Sequence, residues 1–262
     1  MAIEALKRMK NFFSIITLAL GLATSVLAGA QVDPRADAYY LYCLGRMYEM
    51  QGQSEESLSQ YRDAVEKDPE AAYLHFAIAE LHAKSDHVEE AMSSAQTALE
   101  LDSDLAGAHR LLGKIYFSMF RAQNDSASLD QSVEEFEETV RLEPWDVETR
   151  QRLAELYLGR GEIEKAGVEL DALIKQAPDA YYAMYRLGQI RAESGDPQGA
   201  AELYRQAIET EPRHQASRLE LGRVYSELGD YEKSEKVYRE ALELAPEDGR
   251  IRVRLAYTLA GK

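Results

Sequence analysis

The sequence predicts an all-α protein assembled from repeated helix-turn-helix units, and three sets of positions predict it. Pro144, Pro178, Pro212 and Pro246 are spaced 34 residues apart, and Pro69 precedes Pro144 by 75 residues, which is two such periods plus seven. Proline is tolerated only in the first turn of a helix, so a recurring proline marks the same boundary in every copy. Twenty-four residues before Pro69, Pro178, Pro212 and Pro246 stand Gly45, Ala154, Gly188 and Gly222, each preceded by a leucine. Tyr48, Tyr157, Arg191 and Tyr225 follow three residues later; further on come Ser57, Ala166, Ala200 and Ser234, and then Tyr61, Leu170, Tyr204 and Tyr238. Spacings of 3, 4 and 7 are helical, not strand-like. Between the two helical stretches, here called A and B, Gly52, Gly161, Gly195 and Gly229 supply the left-handed residue that ends helix A. A small residue in a fixed place on helix A reads as a point where two backbones approach closely.

In chain order, the N-terminus departs from the repeat. Lys7, Arg8 and Lys10 precede an uncharged run from Asn11 to Val32, and Ala28-Gly29-Ala30 offers the small-x-small pattern of a signal-peptidase site. A signal peptide over 1–30 is expected, with Gln31 as the mature start; a retained membrane anchor is the alternative, the run being long enough to span. Either way the positive flank stays inside and the repeats face the non-cytoplasmic side, in a periplasmic or secreted setting. Residues 31–37 are a short linker and helix start, opened by Asp33-Pro34.

Six units then follow, over 38–71, 72–105, 106–146, 147–180, 181–214 and 215–248, with 249–262 as a capping helix. The second unit is degenerate: Ile78, Ala79, His82, Ala91 and Ala95 hold the columns, and Ser103 replaces the proline. The third carries Leu112, Gly113, Tyr116, Ser132 and Phe136, with the seven extra residues between Tyr116 and Ser132. They include Asn124-Asp125-Ser126-Ala127-Ser128, read as a lengthened loop with Ser128 and Gln131 forming a capping box. The loop is a candidate contact site, and Asn124-Asp125-Ser126 fits a glycosylation sequon. Asp196-Pro197 and Asp230 supply B-helix starts. Arg250 to Leu255 alternates like a strand, but Leu255, Ala256 and Leu259 are in phase with the helical columns, so a helix is expected.

These columns resemble the tetratricopeptide repeat, whose pattern is a large residue, then Leu-Gly, Tyr, a later Ala-x3-Phe and a closing Pro. The resemblance covers Ala38 to Asp248 in phase, with half a unit after it, and departs where Leu41, His75, His109, Arg150, Met184 and Arg218 fill the usual tryptophan column. It implies a right-handed superhelical solenoid that holds itself together through neighbour contacts and binds a protein or peptide partner along a groove lined by the A helices.

Composition bounds the partners. The chain carries −16 overall, and removing Glu4, Lys7, Arg8 and Lys10 with the leader takes away +2, leaving −18. Phosphate backbones and anionic lipid repel such a domain, so nucleic acid is excluded as a partner and membrane attachment is left to an uncleaved N-terminus. Cys43 is the single cysteine, so no intramolecular disulfide forms. His75 and His82 are seven residues apart, about 10 Å along a helix, too far to share an ion, and with His109 they occupy packing columns. His87 and His214 have no evident partner. With no phosphate loop, nucleophile elbow or ligand-spaced cluster, and with the glutamates of the B helices read as solvated faces, neither an enzyme nor a metal, cofactor or small-molecule site is expected.

The candidate surface is the A-helix face opposite the Leu-Gly-Tyr stripe, reached six and three residues before the small residue and one and four after it. It selects Tyr39, Tyr42, Arg46 and Glu49; Tyr73, Phe76 and Glu80; Arg110, Lys114 and Phe117; Glu148, Gln151 and Glu155; Tyr182, Tyr185 and Gln189; Ala216, Leu219 and Arg223; and Arg250, Val253 and Tyr257. The expected partner-binding residues are Tyr39, Tyr42, Arg46, Tyr73, Phe76, Arg110, Lys114, Tyr182, Tyr185 and Arg223. Five basic residues (Arg46, Arg110, Lys114, Arg223, Arg250) face four acidic ones (Glu49, Glu80, Glu148, Glu155), so the stripe is spared the acidity of the rest. Aromatic rings and arginines are efficient partner contacts, although the same rings could instead pack between neighbouring A helices. Family members that clamp a carboxylate tail use lysine and asparagine on successive A helices; Tyr42, Arg46 and Ala77 stand in the comparable places, so that clamp is absent. A peptide with apolar anchors and neutral or mildly acidic character fits better. The rival readings are an accessory region of a larger enzyme and a membrane-tethered envelope assembly factor.

Overall fold

The structure is a computed structural model and describes residues 33–261. The leader expected over 1–30 lies outside the described residues. Among the described residues the chain is helical throughout, with no strand: α1 (Pro34–Met50), α2 (Ser54–Lys67), α3 (Ala72–Lys84), α4 (Val88–Leu101), α5 (Ala106–Gln123), α6 (Ser126–Leu142), α7 (Val147–Arg160), α8 (Ile163–Gln176), α9 (Tyr181–Glu193), α10 (Pro197–Thr210), α11 (Gln215–Glu227), α12 (Tyr231–Leu244) and α13 (Gly249–Ala260). Odd-numbered helices are A helices and even-numbered ones B helices. The stretch from Arg250 to Leu255 lies inside α13, so helical phase prevails over local alternation.

The helices divide into two compact units, α1–α6 and α7–α13. Within each, a helix packs on the next one in sequence, as a repeat array requires. Turn chemistry sets the pairs. Gly52, Gly161, Gly195 and Gly229 all have φ between 75° and 83°, and Asp86 takes the left-handed place in the degenerate second copy at 63°. Asp33, Asp146, Asp196, Asp230 and Asp248 each cap the following helix by accepting from a backbone N–H.

The small column on helix A has a different purpose from close backbone approach: it admits a ring from helix B. A Cβ placed on Gly45 would lie 2.4 Å from the Tyr61 ring; on Gly113, 2.6 Å from Phe136; on Gly188, 2.6 Å from Tyr204; on Gly222, 2.6 Å from Tyr238. Where the B residue is Leu170 the A residue grows to Ala154, and where it shrinks to Ala95 the partner is Ala79. All these side chains are buried; the glycine–ring and Ala154–Leu170 pairs keep a similar combined volume, and the Ala79–Ala95 pair is smaller. Ser132 and Ser234 reinforce the joint by donating to the carbonyls of Gly113 (2.9 Å) and Gly222 (2.7 Å).

Three members of the column without tryptophan make polar links. His75 Nε2 bonds the carbonyl of Pro69 (3.0 Å), His109 Nε2 that of Ser103 (3.0 Å), and Arg150 Nη2 donates to that of Pro144 (2.8 Å). Each partner is the residue six earlier, in the turn that enters the helix. His109 also bonds Glu135 (2.6 Å), and Arg150 pairs with Glu169 in the equivalent place one copy later. These side chains therefore tie helix entry to the preceding turn instead of packing as plain apolar substitutes.

The expected loop is helical: α5 has 18 residues against 13 in α3, and α6 has 17 against 14 in α4. Only Asn124, at φ 54°, and Asp125 lie between them. The Asp125 carboxylate accepts from the N–H groups of Ala127 (3.2 Å) and Ser128 (3.0 Å) and from the Ser128 hydroxyl (2.8 Å). Ser128 is thus already inside α6, and the box with Gln131 is replaced by an aspartate cap.

Candidate functional site

In the N-terminal unit the aromatic stripe is largely engaged in packing. The Tyr42 ring lies 5.8 Å from Tyr61, 5.3 Å from Tyr73 in an edge-on arrangement, and 6.1 Å from Tyr39. Burial raises its pKa above the ordinary tyrosine value. Phe76 reaches Gly107 on the next A helix so closely that a Cβ there would meet the ring at 2.7 Å. Both contacts follow one rule: the residue three before the small position packs on the residue six before it in the next copy. Tyr39 is exposed, and Tyr73 and Phe76 are half-buried.

Charges on this face are paired. Arg46 bonds Glu49 (3.0 Å) and Glu80 (3.4 Å), Tyr61 donates to Glu49 (2.9 Å), and Lys84 also pairs with Glu49. Burial alone would raise the Glu49 pKa; Lys84, Tyr61 and Arg46 outweigh it and hold the carboxylate below its usual range. Arg110 and Lys114 are carried by α5, which has no acidic residue of its own.

In the C-terminal unit the same register opens. Tyr182 is half-buried beside Glu155, and Tyr185 contacts Tyr204 (6.0 Å) and His214 (5.1 Å). His214 also bonds Ser217 (2.7 Å) and faces Tyr181 (5.0 Å), so it does have partners. Beyond Tyr185 the A helices α9, α11 and α13 line an open concavity of about 920 Å³. Tyr185, Ala216, Leu219, Arg250, Val253 and Tyr257 all belong to the stripe read from the sequence, and Glu220 and Arg254 join them. Val253 is 55% and Tyr257 76% exposed. Arg223, expected to face a partner, is held by Glu220 (2.7 Å) and Glu227 (2.6 Å).

The wall at α13 is well anchored. Ile251 is fully buried against Tyr238 and Ala241. Ser226, Ser234 and Thr258 form a hydroxyl triangle with separations of 2.7, 3.1 and 3.1 Å, joining α11, α12 and α13. Val253, Arg254 and Tyr257 were not among the partner-binding residues expected from sequence. For Tyr257 a signal was available in one column: the position after the small residue holds Arg46, Glu80, Lys114, Glu155, Gln189 and Arg223 in six copies and a tyrosine only at Tyr257.

Among the described residues no cluster of three or more His, Cys, Asp or Glu side chains is placed to hold a metal, and no helix is long and apolar enough to cross a membrane. Cys43 is buried in α1, where burial raises its pKa, and Tyr39 is its neighbour.

Two family models, both described as tetratricopeptide repeat, match the chain: one over residues 42–106 and 151–217, the other over 191–252. The stretch between the matched segments, 107–150, contains the insertion. No curated protein sequence matches the chain significantly. Among solved structures, the fold is similar to that of YrrB, described as a TPR protein with an unusual peptide-binding site, at 18% identity and TM-score 0.57, covering 76% of this chain and 96% of that one. MamA is similar at 19% identity and TM-score 0.56, covering 70% and 96%. PilF of Pseudomonas aeruginosa is similar at 16% identity and TM-score 0.55, covering 87% and 99%.

Proposed function

Since the chain belongs to the tetratricopeptide-repeat family, we propose that it is a non-enzymatic scaffold that binds a protein or peptide partner on its A-helix face and so assembles a complex outside the cytoplasm. The observation that carries this reading is the concavity of α9, α11 and α13, most of whose lining coincides with the stripe selected from sequence. Proteins of this fold generally mediate protein-protein interaction, and the YrrB structure is described with a peptide-binding site. Export rests on the N-terminal sequence, with a cleaved leader favoured over an anchor. Intact-mass measurement of the natural product reads that part: a start at Gln31 supports cleavage, and a retained N-terminus supports the tether.

The binding surface is tested by photo-crosslinking. A crosslinking amino acid at Val253, on the concave face, should trap a discrete partner in the native compartment. The same group at exposed Arg239 on α12 should not. Equal trapping at both positions would count against the A-helix face as the working surface.

A further inference from the structure

Resting on that scaffold reading, we infer that the C-terminal concavity selects an acidic peptide segment carrying apolar side chains. Two independent features converge on it. The first is charge. Between Gly249 and Gly261 there are three arginines and no carboxylate, in a chain whose net charge is −16. Two of those arginines, Arg250 and Arg254, line the concavity, and its single carboxylate, Glu220, is bonded to Arg223 at 2.7 Å. Arg250 donates twice to the Asp248 carboxylate (3.1 and 2.7 Å), but its side chain is 80% exposed, where solvent screens the pair. A guanidinium has five N–H donors, so two bonds to one carboxylate leave others for a second. Arg254 meets the Tyr238 hydroxyl, a neutral group.

The second feature is apolar. Leu219, Val253 and Tyr257 bring aliphatic and aromatic surface to the same hollow, and Tyr257 stands where every other copy has a charged or amide side chain. A hollow of about 920 Å³ accommodates a few peptide side chains. Arginines beside an exposed ring and valine match carboxylates alternating with leucine or phenylalanine, and the acidity of the rest of the chain disfavours wrong docking of the same peptide elsewhere. A cationic peptide would meet Arg250 and Arg254 at close range and be rejected.

The test uses the full chain and fluorescence anisotropy with pooled peptides of about twelve residues, long enough in extended form to cross the hollow. In one pool Asp and Glu alternate with Leu and Phe; in a second Lys and Arg replace the acids; in a third Ala replaces the apolar residues. The acidic apolar pool should bind, with affinity falling as salt rises. Tyr257→Ala and Arg254→Glu should each weaken it by at least about tenfold, as removal of a central anchor does. Arg254→Glu should also admit the basic pool, a gain that unfolding cannot mimic, and Arg250→Glu, at the more exposed arginine, should move selectivity the same way. Equal binding of acidic and basic pools by the wild type would overturn the inference. So would self-association in sedimentation that Tyr257→Ala abolishes, which would make a second copy the occupant. Binding of no pool while Val253 crosslinks persist would overturn the acidic-peptide assignment and leave the scaffold reading standing; loss of both would remove both.

Discussion

The A-helix face is used in two ways along one chain. In the N-terminal unit, Tyr42 and Phe76 bridge to Tyr73 and Gly107 of the next copy, and Arg46, Glu49, Glu80 and Lys84 close into a paired network. In the C-terminal unit, Leu219, Val253 and Tyr257 occupy the same register around an open hollow, and the arginines on α13 have no acidic residue on their own helix. Position in the repeat therefore does not by itself assign a role. In the N-terminal unit Tyr73 and Gly107 of the next copy receive the side chains, whereas Tyr185 and Ala216 both line the hollow.

The largest effect expected from this contrast is on stability. Phe76→Ala removes a ring seated on Gly107 and should cost about 2–4 kcal/mol in denaturant unfolding, and Tyr42→Ala should fall in the same range. Tyr257→Ala, at 76% exposure, should stay within about 0.5 kcal/mol of wild type. A large loss at Tyr257 with none at Phe76 would reverse the assignment of packing and free surface.

Next in size is the ring-into-small-residue joint that both units share. Gly188→Ala pushes a Cβ to 2.6 Å from the Tyr204 ring and should cost about 1–3 kcal/mol despite the better helix propensity of alanine. Adding Tyr204→Leu reproduces the Ala154–Leu170 pair of another copy and should recover part of that loss. Additive losses in a double-mutant cycle would show that volume is not what the joint conserves.

Thr258→Val should be felt less, by about 1–2 kcal/mol, because it leaves Ser226 and Ser234 short of one partner in a buried triangle. Its effect should appear as earlier hydrogen exchange in α13 than in α9, and uniform exchange would argue against a local anchor.

The smallest effect is on pH dependence. Burial lowers the pKa of both His82 and His214 below the ordinary 6.5. The unfolded chain then takes up the proton first as pH falls, so their contribution is complete above about 6.5 and is lost through the lowered native values. Urea midpoints should drop modestly between about pH 7.5 and pH 5.5, and His82→Gln with His214→Gln should flatten the change. A midpoint that rises on acidification would show the opposite linkage.

Much of the fold is legible in the sequence because its signals are local. Gly52, Gly161, Gly195 and Gly229 need positive φ, Asp196 and Asp230 cap, and the Leu-Gly columns keep helical phase, each within a few residues. The insertion is misread because Asn124-Asp125-Ser126 looks like a loop when seven residues are equally able to extend α5 and α6 by two turns in all, with Asp125 as the cap. The site is less legible than the fold. Whether Tyr42 or Phe76 packs depends on the residue facing it from another copy, 31 positions away for Phe76 and Gly107, and no local pattern carries that information. The small column shows the same limit: its position is evident, but that it receives the Tyr61 or Tyr204 ring is a tertiary fact.

The central claim, that the open C-terminal face and not the packed N-terminal one receives the partner, is tested most directly by crosslink yield and thermal melting measured together on Tyr257→Ala and Tyr42→Ala. The account predicts that Tyr257→Ala loses crosslinking at Val253 while melting like wild type, and that Tyr42→Ala melts early yet still crosslinks at Val253 below its transition. A folded Tyr257→Ala that crosslinks undiminished, beside a Tyr42→Ala that keeps its melting temperature and loses the partner, would contradict it.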